Sequence, residues 1–281
     1  MLDERKILVT GATGNIGGAV LRSLLDKGFS VRAGSTNPDN AAFSSEVEKT
    51  KLVYRETDTV TAALEEVAGV YLIAPPMDPF AHEVLIPFID EARDAGVEHI
   101  ILNSSFGVEL EDDDALRITE KHLMNSGVNY TIFRPNFVME NFSTGFISPM
   151  LETGRILLAA ADARTSFISC EDIGAAAARA FRHKLYGREF NLSGPEAIDH
   201  ADVARMISEY SGKDIQYQAI SEDDMLDGAR AQGMPEASVQ MLGGLYHLTR
   251  QGVMARVFDD VETITGVAPQ TFARFAAGVN W

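Results

Sequence analysis

A single cysteine, Cys170, occurs in the 281 residues, so no intrachain disulfide can form and a reducing compartment is expected. Cysteine this scarce reads as one small buried apolar residue rather than a nucleophile. No run approaches the ~18 apolar residues of a membrane-spanning helix. The charged start "MLDERK" leads into a strand rather than a signal peptide, so a cytoplasmic protein without membrane association is expected. Basic residues are in short supply: 24 Lys and Arg stand against 41 Asp and Glu, a formal net charge of −17. Such a surface repels phosphate backbones and anionic lipid, which argues against nucleic acid as a partner. The one acidic block, Glu109 to Asp114, reads as a solvated loop. His82, His99, His122, His183, His200 and His247 show no spacing with cysteine or carboxylates that suits a metal, and none is expected. No G-x-S-x-G elbow occurs, no internal repeat is visible, and no low-complexity linker divides the chain.

What the chain does contain is an alternation of β-rich runs and amphipathic helices. "KILVTG", "FSVRAGS", "KLVYRE", "VYLIAPP", "EHIILNSS" and "NYTIFRP" read as six strands. Helices are expected over 15–27, 61–69, 81–95 and 115–126, stopped at Gly28, Gly69, Gly96 and Gly127. Strands joined by helices predict right-handed crossovers and a doubly wound parallel α/β sheet of the Rossmann type. "TSFISCEDIGAAAARAF" reads as a strand leading into a helix, and "EFNLSG" as one more strand of the same sheet. After Pro195 the pattern is mostly helical.

The stretch "ILVTGATGNIGG" places Gly11, Gly14 and Gly17 between the first strand and the first helix. Backbone N–H groups at a helix start hold anions, and a side chain at the close-approach glycine would block a phosphate. No Lys-Ser/Thr follows, so this is no nucleoside triphosphate loop. The expected ligand is a dinucleotide pyrophosphate, NADP or NAD, held by Gly11, Thr13, Gly14, Asn15, Ile16 and Gly17. Such a site lies at the carboxyl ends of the strands. Those ends supply Ser35, Thr36 and Asn37; Asp58; Ala74, Pro75 and Pro76; Asn103, Ser104 and Ser105; and Pro135, Asn136 and Phe137. The tip of the second strand carries neither an acid for a ribose 2′-hydroxyl nor an Arg for a 2′-phosphate. Arg32 lies a few residues earlier and could face either side, so NAD and NADP both stay open. Met77, Phe80, Phe106, Met139, Phe142, Phe167 and Tyr246 suggest a partly apolar substrate pocket.

These stretches, with "EKHLMNSGVNYTIFRPNFVMENF" and "DDVETITGVAPQTFARFA", resemble the NmrA-like branch of the atypical short-chain dehydrogenase/reductases. Within it the chain is most similar to the festuclavine/agroclavine dehydrogenase-like subgroup. The resemblance implies a Rossmann domain over 1–155, with 164–194 returning to the same sheet, and a small, mostly helical C-terminal substrate lobe over 196–281. It favours NADPH, although many NADP-binding relatives carry Arg where this chain has Thr36. A homodimer is compatible with it.

Typical short-chain dehydrogenases carry a Tyr-x-x-x-Lys pair on the helix before the sixth strand, where the tyrosine protonates the alkoxide left by hydride transfer. Here Lys121 holds the lysine position, a weak catalytic candidate, but position 117 is Arg, and Lys121 and Glu120 also fit a plain surface helix. Arginine cannot usefully give up a proton. Two readings follow. One is an NAD(P)H-dependent reductase acting on a small electrophilic substrate that needs no positioned acid, such as an iminium or a quinone. The other is a non-catalytic NAD(P)-binding redox sensor that acts on a protein partner.

Overall fold

The computed structural model describes residues 5–40, 43 and 47–281. In chain order the first elements are β1 (Lys6–Val9), α1 (Asn15–Asp26), β2 (Val31–Ser35), β3 (Glu48–Lys51), α2 (Thr57–Leu64), β4 (Val67–Ile73) and α3 (His82–Asp94). Then come β5 (His99–Asn103), α4 (Ala115–Asn125), β6 (Asn129–Pro135), α5 (Ser148–Leu151), β7 (Arg155–Leu158), β8 (Arg164–Thr165), α6 (Cys170–His183) and β9 (Arg188–Leu192). The last are β10 (Ile198–Asp199), α7 (His200–Ser211), β11 (Gln216–Ala219), α8 (Glu222–Ala231), α9 (Glu236–Arg250), α10 (Asp260–Thr265) and α11 (Phe272–Gly278).

The central sheet has seven strands in the order β3-β2-β1-β4-β5-β6-β9, all neighbours parallel. Alternation along each strand sorts its apolar side chains between two faces. Ile7, Val9, Tyr71 and Ile101 pack under α1 and α6; Leu8, Val70, Leu72, Ile100 and Leu102 pack under α2, α3 and α4. The α1–α6 pair sits close because a Cβ on Gly174 would stand 2.7 Å from the Ala19 carbonyl oxygen. Leu24 of α1 is fully buried there, which contributes about 1.5–3 kcal/mol. Strand order reverses between β1 and β4, which opens a crevice at the carboxyl ends.

Four elements differ from the sequence expectation. The third strand is the polar run Glu48–Lys51, not "KLVYRE". It is the sheet edge, pinned by Arg32 and Lys6 on Glu48, while Leu52 turns in beneath Gly34. The second helix ends at Leu64 because Glu66 takes a positive φ of 57°. Gly69 therefore lies inside β4, where the Phe181 ring fills the space of a side chain. Thr165 pairs with Ile198 in a separate two-stranded ribbon rather than in the central sheet.

A third apolar cluster forms the lobe. It joins Met139, Phe142, Ile147 and Ile156 to Val203, Leu242, Tyr246 and Phe272. Residues from Met139 to Phe167 thus pack with those of 196–281, and β7 pairs with β11 and not with the central sheet. Val261 and Ile264 of α10 pack with the first cluster instead of the lobe. No helix among the described residues is long and apolar enough to cross a membrane.

Candidate functional site

β1 ends at Val9, and the chain turns through Gly11, at φ 58°, into α1. The helix starts at Gly14 with no side-chain cap and no acid in its first turn. Its first N–H groups are therefore open to an anion, which the helix dipole also favours. A Cβ on Gly17 would stand 2.2 Å from the Gly11 carbonyl oxygen, so this turn closes only with glycine there. It opens onto a cleft of about 1030 Å³ lined by Thr13, Gly14, Asn15, Arg22, Ser35, Thr36, Asn37, Glu140 and Thr144, among others. Thr144 Oγ1 donates to Asn15 Oδ1 at 2.9 Å and ties the lobe segment to the turn. Gly11 and Gly17 shape the turn from behind, and Ile16 packs on the sheet core. This cradle fits a dinucleotide pyrophosphate.

A second helix start, that of α6, reaches the same cleft but is already occupied. Both Glu140 carboxylate oxygens accept from the Cys170 N–H, at 2.9 and 3.0 Å, and Ser169 Oγ accepts from the Asp172 N–H. Burial pushes the Glu140 carboxyl above its usual range. Burial, then the Glu140 charge, pushes the Cys170 thiol far up, so it stays protonated and inert.

At the β4 end, Ala74, Pro75 and Met77 line a cleft of about 590 Å³, with Asp78, Glu111, Asp113 and Asp114 around it. Pro76 and Phe80 are exposed beside it and line neither cleft. Asp114 is less solvated than the acidic block suggests: it caps α4, accepting from Leu116 N–H at 2.7 Å and Arg117 N–H at 3.2 Å. At the β5 and β6 ends, Ser105, Phe106, Pro135, Asn136 and Phe137 line a gap of about 80 Å³ with Leu245 and Met254.

Several expected site residues stand elsewhere. Asp58 is exposed on the first turn of α2 and lines none of these clefts. Asn103 is buried and accepts from the Tyr71 hydroxyl at 2.8 Å. Met139, Phe142, Phe167 and Tyr246 are at most 2% exposed and form the lobe core, stacked edge to face, rather than a pocket wall. Asn136 is fully used: its Nδ2 donates to Ser166 Oγ and the Met254 carbonyl, each at 2.8 Å, and its Oδ1 accepts from Phe137 N–H. Arg32 faces away from the cleft and donates to the carbonyls of Ala62, Ala63 and Glu65 at the end of α2.

Helix α4 carries the position at which an acid pair would be sought. Lys121 points to solvent and pairs with Asp112 at 2.7 Å, so it is no catalytic candidate. Glu120, in contrast to a surface position, is wholly buried. It takes Arg134 on both oxygens at 2.7 Å, the Ser104 hydroxyl at 2.6 Å and Arg117 at 2.8 Å. Burial opposes its charge, but these donors outweigh burial and hold the carboxyl below its usual range. Ser104 thus serves this clamp and not a ligand. Neither the clamp, nor Glu140 at a helix start thirty residues on, nor Arg22 at the cleft follows from any local spacing.

A doubly wound parallel sheet with a glycine-built anion cradle at its carboxyl edge defines a protein that binds a nicotinamide dinucleotide. Residues 11–184 match the family described as NAD(P)H-binding. The chain belongs to that family, and its cofactor is NAD or NADP. It is 30% identical to prestalk A differentiation protein A of Dictyostelium discoideum over 97% of this chain and 92% of that one. It is also 30% identical to agroclavine dehydrogenase of Claviceps fusiformis over 96% of each. Among solved structures, the NADPH complex of an NADPH-dependent quinone oxidoreductase from Escherichia coli superposes with a TM-score of 0.81. That pair is 26% identical, covering 96% of this chain and 98% of that one.

Proposed function

We propose that the protein is an NAD(P)H-dependent reductase that passes hydride directly to a small electrophilic organic substrate, an iminium, a quinone or a related acceptor, without a tyrosine–lysine acid pair. The observation that carries this reading is the occupancy of α4. Its inward carboxylate is locked by Arg134, and the tyrosine position holds an arginine bound to that same carboxylate. No group there can protonate an alkoxide. An acceptor that needs no positioned acid removes the difficulty: hydride on an iminium cancels its charge, and hydride on a quinone leaves a phenolate that water protonates.

When bound, the reduced nicotinamide supplies the hydride. The chain's own part is binding and shape. The α1 start takes the pyrophosphate, Ser35 to Asn37 take the ribose side, and Phe106 and Phe137 give the substrate an apolar wall. The carboxylates around the β4 cleft suit a cationic acceptor. Agroclavine dehydrogenase and a quinone oxidoreductase among the relatives support the same class. On this reading the protein works in the cytoplasm on small molecules and has no nucleic-acid partner. The test mixes purified protein with NADPH or NADH and iminium, quinone and triarylmethane acceptors, and follows loss of reduced-nicotinamide absorbance. Oxidation with at least one class is expected. Tight binding of reduced cofactor with no oxidation by any class would overturn the reading in favour of a redox sensor.

A further inference from the structure

The ribose end of the large cleft lacks the two side chains that ordinarily choose between the cofactors. The β2 tip is Ser35, Thr36 and Asn37, with neither acid nor arginine. Arg32 is engaged by Glu48 and by the end of α2. Arg22 of α1 is the one basic side chain among the described residues that line this cleft. It is exposed, and it forms no hydrogen bond or ion pair with any described residue. A guanidinium with no ion pair among the described residues stands out in a chain of net charge −17, particularly with Glu140 and Glu171 lining the same cleft.

Its direction is also set. Arg22 Nη1 lies 3.4 Å from where a Cβ of Gly18 would stand. The side chain therefore runs back along the helix toward its N-terminus, as helical side chains do, over a surface that Gly18 leaves bare. It ends on the side of the helix whose first N–H groups form the pyrophosphate cradle. The Ser35 hydroxyl accepts from the Asn37 N–H at 3.2 Å and keeps its own proton to donate.

We propose that Arg22 is the residue that selects the cofactor, binding the adenosine 2′-phosphate with its planar fork beside the hydroxyls of Ser35 and Thr36, so that the chain prefers NADP(H) to NAD(H). The inference rests on the dinucleotide reading of the cleft and assigns to a helix side chain what the strand tip does not supply.

The test needs no turnover. Calorimetric titrations compare 2′,5′-ADP with 5′-AMP on the wild-type chain and on Arg22→Gln, with the thermal midpoint of each chain recorded. The wild type is expected to bind 2′,5′-ADP about ten- to a hundredfold more tightly. Arg22→Gln is expected to cancel the difference, and Arg22→Lys to restore part of it. Equal affinity of the wild type for the two nucleotides would overturn the proposal. So would a preference that survives in Arg22→Gln at an unchanged midpoint. If the wild type binds neither nucleotide and neither NADPH nor NADH, the dinucleotide reading itself fails, and this proposal with it.

Discussion

The two ends of the carboxyl edge of the sheet are built by opposite means. At the β1–β2 end donors are left over: a helix start without a side-chain cap, the Ser35 hydroxyl proton at a strand tip and an arginine with no ion pair among the described residues face an open cleft of about 1030 Å³. At the β5–β6 end nearly every polar group is satisfied by protein. Asn103 accepts from Tyr71, Ser104 donates to Glu120, and Asn136 bridges to Ser166 and Met254, around a gap of about 80 Å³. A charged ligand calls for unpaired donors, and a short-lived apolar acceptor calls for a stiff wall. On the proposed reading the first end serves as a binding surface and the second as a mould.

The largest effect is expected from breaking the first end. Gly17→Ala puts a Cβ 2.2 Å from the Gly11 oxygen, so the turn must open. Calorimetry should show dinucleotide affinity reduced by about a hundredfold or more, as a shift of ~1 Å in the donors would cause. Next comes the mould. Glu120→Ala leaves Arg134 buried with its main partner gone, and urea unfolding should register a loss of about 3–5 kcal/mol. Below the unfolding transition that variant should still bind dinucleotide, since the cradle is untouched. A parallel loss of affinity and stability would show that the two ends are coupled.

A third experiment separates the sheet from the lobe by pH. Burial holds His99, bonded to Thr131, down to about 3, and His200, in the lobe core, down to about 4. Both lie below the unfolded value of about 6.5. Their neutral forms thus stabilise the fold fully above that value, and this stability is lost as pH falls toward the folded values. Each contributes a slope of roughly 1.4 kcal/mol per pH unit in that window. Replacing His200 by Phe should remove one share of the slope in denaturant titrations between those limits. The smallest effect belongs to Lys121→Met, which breaks an exposed pair with Asp112. Stability should move by less than about 1 kcal/mol and turnover should stay as it was.

The same contrast explains what could be read before the structure. The turn was legible because it is made of backbone: Gly11, Gly14 and Gly17 announce a tight turn that leaves N–H groups at a helix start without a side-chain cap, and their spacing is local. The parallel sheet was legible for a similar reason, since two-residue alternation and helix spacing are also local. The polar edge strand Glu48–Lys51 was not, because its pairing is secured by Arg32 and Lys6 from other strands. The mould was least legible. Glu120 looked like a surface residue next to Lys121 until Arg134, fourteen residues on, closed over it. Phe142, Phe167 and Tyr246 have the composition of a pocket, and only the lobe's tertiary packing turns them into core.

The central claim is direct hydride transfer without a positioned acid, and isotope labelling tests it most directly. A single turnover with nicotinamide deuterated at the transferable C4 position, and an iminium acceptor, would be quenched and the product examined by mass spectrometry. The account predicts deuterium on the reduced carbon, at a rate independent of pH once cofactor is saturating. Loss of the label to solvent, or no reduction although the deuterated cofactor is bound, would contradict it.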